Sequence, residues 1–138
     1  MIDVSILYRT MVTYMKSVIA VGAGGAAGTW LRYLVSYQLQ FGFPVGTMVE
    51  NVSGSLLLGL FSGWFAVKAP KDWVKAGLGV GLCGGYTTFS TFASDAVELL
   101  HKQMILPAAG YIFGTLFLGI AAAAVGFTAG QKAGGGHL

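Results

Sequence analysis

Thr47, Glu50, Asn51, Gly54 and Ser55 are spaced by threes and fours, which on a helix gathers them on one face of the otherwise apolar run Gly46 to Val67. An amide such as Asn51 offers two N–H donors and one carbonyl acceptor, a set that can replace part of the water around a small anion. Interhelical hydrogen bonding is the other use of such a stripe in a membrane bundle. Glu50 pulls the opposite way, since a carboxylate repels anions and costs on the order of 2.5–3.5 kcal/mol at the bilayer centre. It must lie near the membrane edge, pair with a cation or carry a proton.

A second polar group interrupts the next apolar run, in "CGGYTTFSTF" from Cys83 to Phe92. Glycines tolerate non-helical backbone, and threonine hydroxyls can bond to the groups a break sets free, so "GGYTT" predicts an interrupted helix. The alternative is a continuous helix with a small-residue packing face. A break at membrane depth must be buried in protein or line a cavity, and its freed carbonyl oxygens suit a hard cation such as Na+. Phe89 and Phe92, three apart, share a face; lipid contact and core packing are their usual uses. Aromatic rings also carry a positive edge, which two rings could present to a small, strongly hydrated anion. Arg32 either snorkels to the interface beside Trp30 and Tyr33 or lends positive potential to a vestibule. Asp95 and Glu98 read as a solvated helix terminus.

These groups need a lipid-embedded scaffold. The 138 residues are 55% hydrophobic and 9% charged, with mean hydropathy +0.72, which marks an integral membrane protein. Four apolar stretches each approach the roughly 20 residues of a spanning helix: about Tyr14 to Leu39, Gly46 to Val67, Val74 to Leu100 and Ile105 to Ala129. The connections "QFGFP", "KAPKDW" and "HKQ" are short, so a single domain over residues 14–130 is expected, with a leader at 1–13 and a flexible tail at 131–138. The N-terminal run has some features of a signal peptide, but its apolar pattern continues too far, which favours a retained first helix. Small residues recur in every span and allow close backbone approach; four thin helices can hardly enclose a pore alone, which favours an oligomer.

With the N-terminus inside, Arg9, Lys16, Lys68, Lys71, Lys75 and Lys132 fall on the cytoplasmic side against Arg32 and Lys102 outside, so both termini are expected in the cytoplasm. The basic residues form no stripe, which argues against a nucleic-acid partner. Cys83 reads as packing, and neither His101 nor His137 has metal-ligand spacing around it. No nucleophile and base pair or phosphate loop supports an enzyme.

"GAAGTWLRY" at 25–33, "GTMVENVSGSLLLG" at 46–59 and "GLCGGYTTFSTF" at 81–92 closely resemble the three signatures of the fluoride channels called Fluc or CrcB, over Met15 to about Ala129. The resemblance implies an all-α subunit of four transmembrane helices, the third broken at mid-membrane, which pairs antiparallel with a second subunit in the cell membrane. It implies passive fluoride export through pores along the interface. A structural, non-transported Na+ on the two-fold axis would be held by backbone carbonyls at positions matching Gly84 and Thr87. The pore positions match Asn51, Phe89, Phe92, Thr47, Tyr111 and Thr115, and the vestibule arginine matches Arg32. Two residues depart from the family pattern: Glu50, where an apolar residue is usual before the asparagine, and Gly119, where many members carry a hydroxyl. One alternative is half of an obligate heterodimer; another, of a different class, is a proton-coupled small multidrug exporter using Glu50.

Overall fold

A computed structural model of the chain describes residues 4–39 and 42–136. Among these there are helices, turns and bends and no strand: α1 (Val4–Gln38), α2 (Val45–Lys68), α3 (Asp72–Lys75), a π-helical run (Ala76–Cys83), α4 (Gly84–Tyr86), α5 (Phe89–His101) and α6 (Ile105–Ala133). Together α3 to α5 make one interrupted rod, so the fold has four rods. Gln40 and Phe41 of the first connection, and His137 of the tail, lie outside the described residues.

The ends of the rods follow from local chemistry. Lys68 is followed by Ala69 at φ 43°, whose N–H closes on the Phe65 carbonyl, and Pro70 next in sequence disfavours further helix. Gln103, at φ 57°, similarly turns the chain between α5 and α6. Pro107 falls in the first turn of α6, where a missing N–H costs no helical bond. α1 and α6 are long and apolar enough to cross a membrane. At 35 residues α1 reaches about 52 Å, well beyond a hydrocarbon core of about 30 Å. It starts at Val4 and passes the expected leader boundary at residue 13 without interruption; α6 likewise runs past residue 130 to Ala133.

Two close seams hold the rods, both between parallel neighbours. On one, a Cβ at Gly59 or Gly63 of α2 would fall on the Ala123 or Phe127 carbonyl of α6, and one at Gly126 or Gly130 on the Leu56 or Leu60 carbonyl of α2. On the other, Gly24 and Gly28 of α1 press on the Gly77 and Leu82 carbonyls of the interrupted rod. Backbone touches backbone at every one of these positions, the contact that gives association energy where burial of apolar surface gives little. α2 runs antiparallel to α1, tied to it by the Ser36 hydroxyl on the Glu50 carboxylate.

The third rod corrects the sequence expectation in detail. It is interrupted, but the glycines stay helical: Gly84 has φ −67°, ψ −32° and belongs to α4. The chain leaves the helix at Thr87 (φ −82°, ψ 158°) and Thr88 (φ −147°, ψ 124°), both extended. Gly81 and Gly85 serve close packing instead, facing the α1 backbone at Val21 and Gly25.

Gly126→Ala should therefore lower stability by about 1–3 kcal/mol, because no side-chain movement can relieve a clash with a carbonyl. Gly22→Ala, where an added Cβ meets nothing, should stay within about 0.5 kcal/mol of the parent. Thermal unfolding of the purified protein in detergent compares the two.

Candidate functional site

At the interruption, the Thr88 N–H donates to Asn51 Oδ1 at 2.8 Å and Asn51 Nδ2 donates back to the Thr88 carbonyl at 3.0 Å. One side chain of α2 thus takes both polar groups of an extended residue. The Thr88 hydroxyl then caps α5 by accepting the Thr91 N–H at 3.2 Å. On the other side of the break the Thr87 hydroxyl and N–H both donate to the Cys83 carbonyl, at 3.0 and 2.9 Å.

These bonds select which carbonyls are left over. In an unbroken helix the Gly84 carbonyl would take the Thr88 N–H and the Thr87 carbonyl the Thr91 N–H; both amides instead donate to side-chain oxygens. Gly84 is exposed, and a Cβ placed there would meet nothing within 4 Å. Two backbone oxygens outside the ladder on an accessible segment fit a small hard cation. Gly84 and Thr87 are the residues the resemblance implied for Na+.

An open-sided groove of about 510 Å³ runs along the interrupted rod between α2 and α6. It brings together Asn51, Phe89, Phe92 and Thr115 with Gly84 and Thr87. Among the described residues, none of those lining it carries a charge. Phe89 is 80% exposed and tilts 40° against Phe92 at 6.0 Å between centroids. Thr115 is buried, and its hydroxyl is the one buried side-chain polar atom among the described residues without a hydrogen-bond partner. Asn51 keeps one of its two amide protons uncommitted, since its oxygen and one N–H serve Thr88. Gly119 also lines the groove, facing the Ser55 hydroxyl.

Thr47, Tyr111 and Arg32 stand off this groove, in a polar cluster at the far end of the rods. Tyr111 is 1% exposed and its phenol donates to Asp95 Oδ2 at 3.1 Å. Its ring packs on Phe92 at 5.2 Å, which joins the cluster to the groove. Glu50, also 1% exposed, takes the Ser36 hydroxyl at 2.5 Å, with half-buried Arg32 near enough to act on its charge. The expected solvated terminus divides in two: Glu98 is exposed and pairs with Lys102 at 2.6 Å, whereas Asp95 is half-buried under the Tyr111 phenol.

A family model described as CrcB-like protein, Camphor Resistance (CrcB), matches residues 19–127. The chain belongs to the CrcB family. It is 46% identical over 119 residues to a protein of Halalkalibacterium halodurans named fluoride-specific ion channel FluC 2, covering 86% of this chain and 88% of that one. It is 43% identical to the FluC 2 of Bacillus subtilis, covering 88% and 92%, and 44% identical to the FluC of Nitrobacter winogradskyi, covering 79% and 90%. With this membership and its apolar helices, the chain is an ion-transport protein of a membrane.

The polar stripe of α2 and the interruption were both legible in sequence, but the CrcB signatures did not reveal that Asn51 serves Thr88. Thr88 was missed as the cap of α5, although a threonine just ahead of a helical run is a start signal. The Ser53 hydroxyl at the Tyr86 phenol, 2.9 Å away, was missed because nothing local marks it. Asn51→Ala would strip both Thr88 groups of their partner, at about 1–3 kcal/mol for each orphaned group. Amide hydrogen exchange at Thr88 should accelerate strongly in that variant and less in Asn51→Asp, which keeps the acceptor; unchanged exchange would refute the pairing.

Proposed function

We propose that this protein is a fluoride-selective channel that lets fluoride leave the cytoplasm passively, down its electrochemical gradient. Hydrogen fluoride enters from an acidic exterior and dissociates inside; the trapped anion leaves through the groove, which lowers fluoride toxicity. The observation that carries this reading is the buried Thr115 hydroxyl without a partner, in an uncharged groove that also holds Phe89, Phe92 and the spare Asn51 proton. A small anion that sheds water there gains an O–H donor, an N–H donor and the positive edges of two rings. No full positive charge binds it, so it is not held too tightly to leave. The names of the relatives point to the same ion.

In this reading the four rods span the cell membrane, and the open side of the groove is closed by a second subunit in antiparallel orientation. A structural Na+ at the shared axis would be coordinated by the Gly84 and Thr87 carbonyls of each subunit and would fix the broken segments against each other. Both termini would be cytoplasmic, since Arg9, Lys16, Lys68, Lys71, Lys75 and Lys132 gather at the end of the rods where α1 begins and α2 and α6 end. That one-sided charge also favours a second reading of the assembly, an obligate heterodimer with a partner of opposite bias. The drug-exporter alternative has no comparable support, because Glu50 does not line the groove.

Liposomes loaded with fluoride and holding the purified protein should release it to an ion-selective electrode without a proton gradient. Thr115→Val, which removes the donor at nearly constant volume, should slow release by about tenfold, the worth of one buried hydrogen bond to a charged group. Chloride release at the fluoride rate would sink the selectivity claim. A purified preparation of this chain alone that fails to conduct, and conducts only with a second family member, would select the heterodimer.

A further inference from the structure

Tyr86 is the last residue before the chain becomes extended, and it is 9% exposed. Its ring lies against Gly54 of α2, where an added Cβ would come within 3.1 Å of Tyr86 Cδ1 and collide with Thr87 Cγ2. The phenol reaches past that gap to the Ser53 hydroxyl, 2.9 Å away. Ser53 passes its own proton to the Val49 carbonyl at 2.6 Å, so the phenol is the donor and Ser53 the acceptor. α2 therefore holds the two sides of the break separately, Asn51 gripping Thr88 after it and Ser53 gripping Tyr86 before it. The Thr87 carbonyl lies between these grips, and the Gly84 carbonyl lies two residues ahead of Tyr86 in the same short α4.

We propose that Ser53 and Tyr86 form a latch across Gly54 that sets the spacing of the Gly84 and Thr87 carbonyls, making them positioning residues for a cation they do not touch. This rests on the cation site of the proposed function. Neither side chain lines the groove, so the anion's own donors stay in place when the latch is cut. Asn51 fixes only the far side of the break; before it, α4 is seated on α1 through Gly85 and reaches α2 through the Tyr86 ring and its hydrogen bond to Ser53.

Tyr86→Phe removes the donor and keeps the ring over Gly54; Ser53→Ala removes the acceptor. Each should raise the Na+ concentration giving half of the Na+-dependent rise in unfolding temperature by about fivefold, one hydrogen bond's worth. Fluoride release at saturating Na+ should match the parent. The double variant should be no weaker in Na+ than either single one, because both cut the same bond. Unshifted Na+ dependence in Tyr86→Phe overturns the latch, as does a fall in release that saturating Na+ does not restore. Because the unfolding measurement needs no transport, a parent that binds Na+ yet releases no fluoride would refute the channel reading and leave the latch testable. A parent whose unfolding is indifferent to Na+ would refute the cation site and the latch with it.

Discussion

A helix interrupted at a buried position leaves N–H and C=O groups that must find partners within the protein, and here the Asn51 amide meets that demand at Thr88, which is 7% exposed. An amide donates and accepts side by side without carrying charge at any ordinary pH, so it imitates the edge of a neighbouring strand against an extended residue. A serine could satisfy one of the two groups at a time, and an aspartate would bring a charge. The rest of the site is arranged around this pairing. It fixes where α5 begins, hence where Phe89 and Phe92 project, and it diverts the amide that would otherwise cover the Gly84 carbonyl.

That pairing demands accurate register between α2 and the interrupted rod, although the two share few close contacts of their own. The register is inherited. α2 is seated on α6 by carbonyl contact at Gly126 and Gly130, and the interrupted rod is seated on α1 at Gly24 and Gly28. Such seams permit little sliding, because each glycine faces a particular backbone oxygen and not a deformable side chain. The two halves then meet at α1 and α2, where Ser36 bonds to Glu50, and at the break itself.

The sequence discloses its helices and its special residues well, because apolar runs, polar stripes and glycine clusters are local signals. "GGYTT" announced an interruption, yet it assigned the work wrongly: Gly84 and Gly85 stay helical, with Gly85 packed against Gly25, while the extended residues are Thr87 and Thr88. A glycine's freedom and a glycine's smallness look identical in sequence; only the neighbour at Gly25 distinguishes them. Asn51 was singled out for its donors, but the fate of its oxygen depends on Thr88, 37 residues away. The Tyr86 to Ser53 contact is equally non-local, and the burial of Glu50 could not be told from its place near the start of α2, where its partner Ser36 comes from another rod.

Charge along α5 is graded, and the gradation explains how buried or half-buried carboxylates coexist with an uncharged groove. Along α5 the residues beside the groove, Phe89 and Phe92, are uncharged, and the acidic Asp95 and Glu98 follow toward the end of the rod. The Tyr111 ring stands on Phe92 at 5.2 Å and on Phe43 at 5.9 Å, edge to face, forming an aromatic wall between the groove and the acids. On the far side of the wall each acid is engaged: Asp95 by the Tyr111 phenol, Glu98 by Lys102, Glu50 by Ser36 with Arg32 near. A bare carboxylate at the position of Thr115 would repel an anion strongly at low dielectric. Placed behind Tyr111, the acids orient a phenol and anchor rod ends, and the groove is left with neutral donors alone.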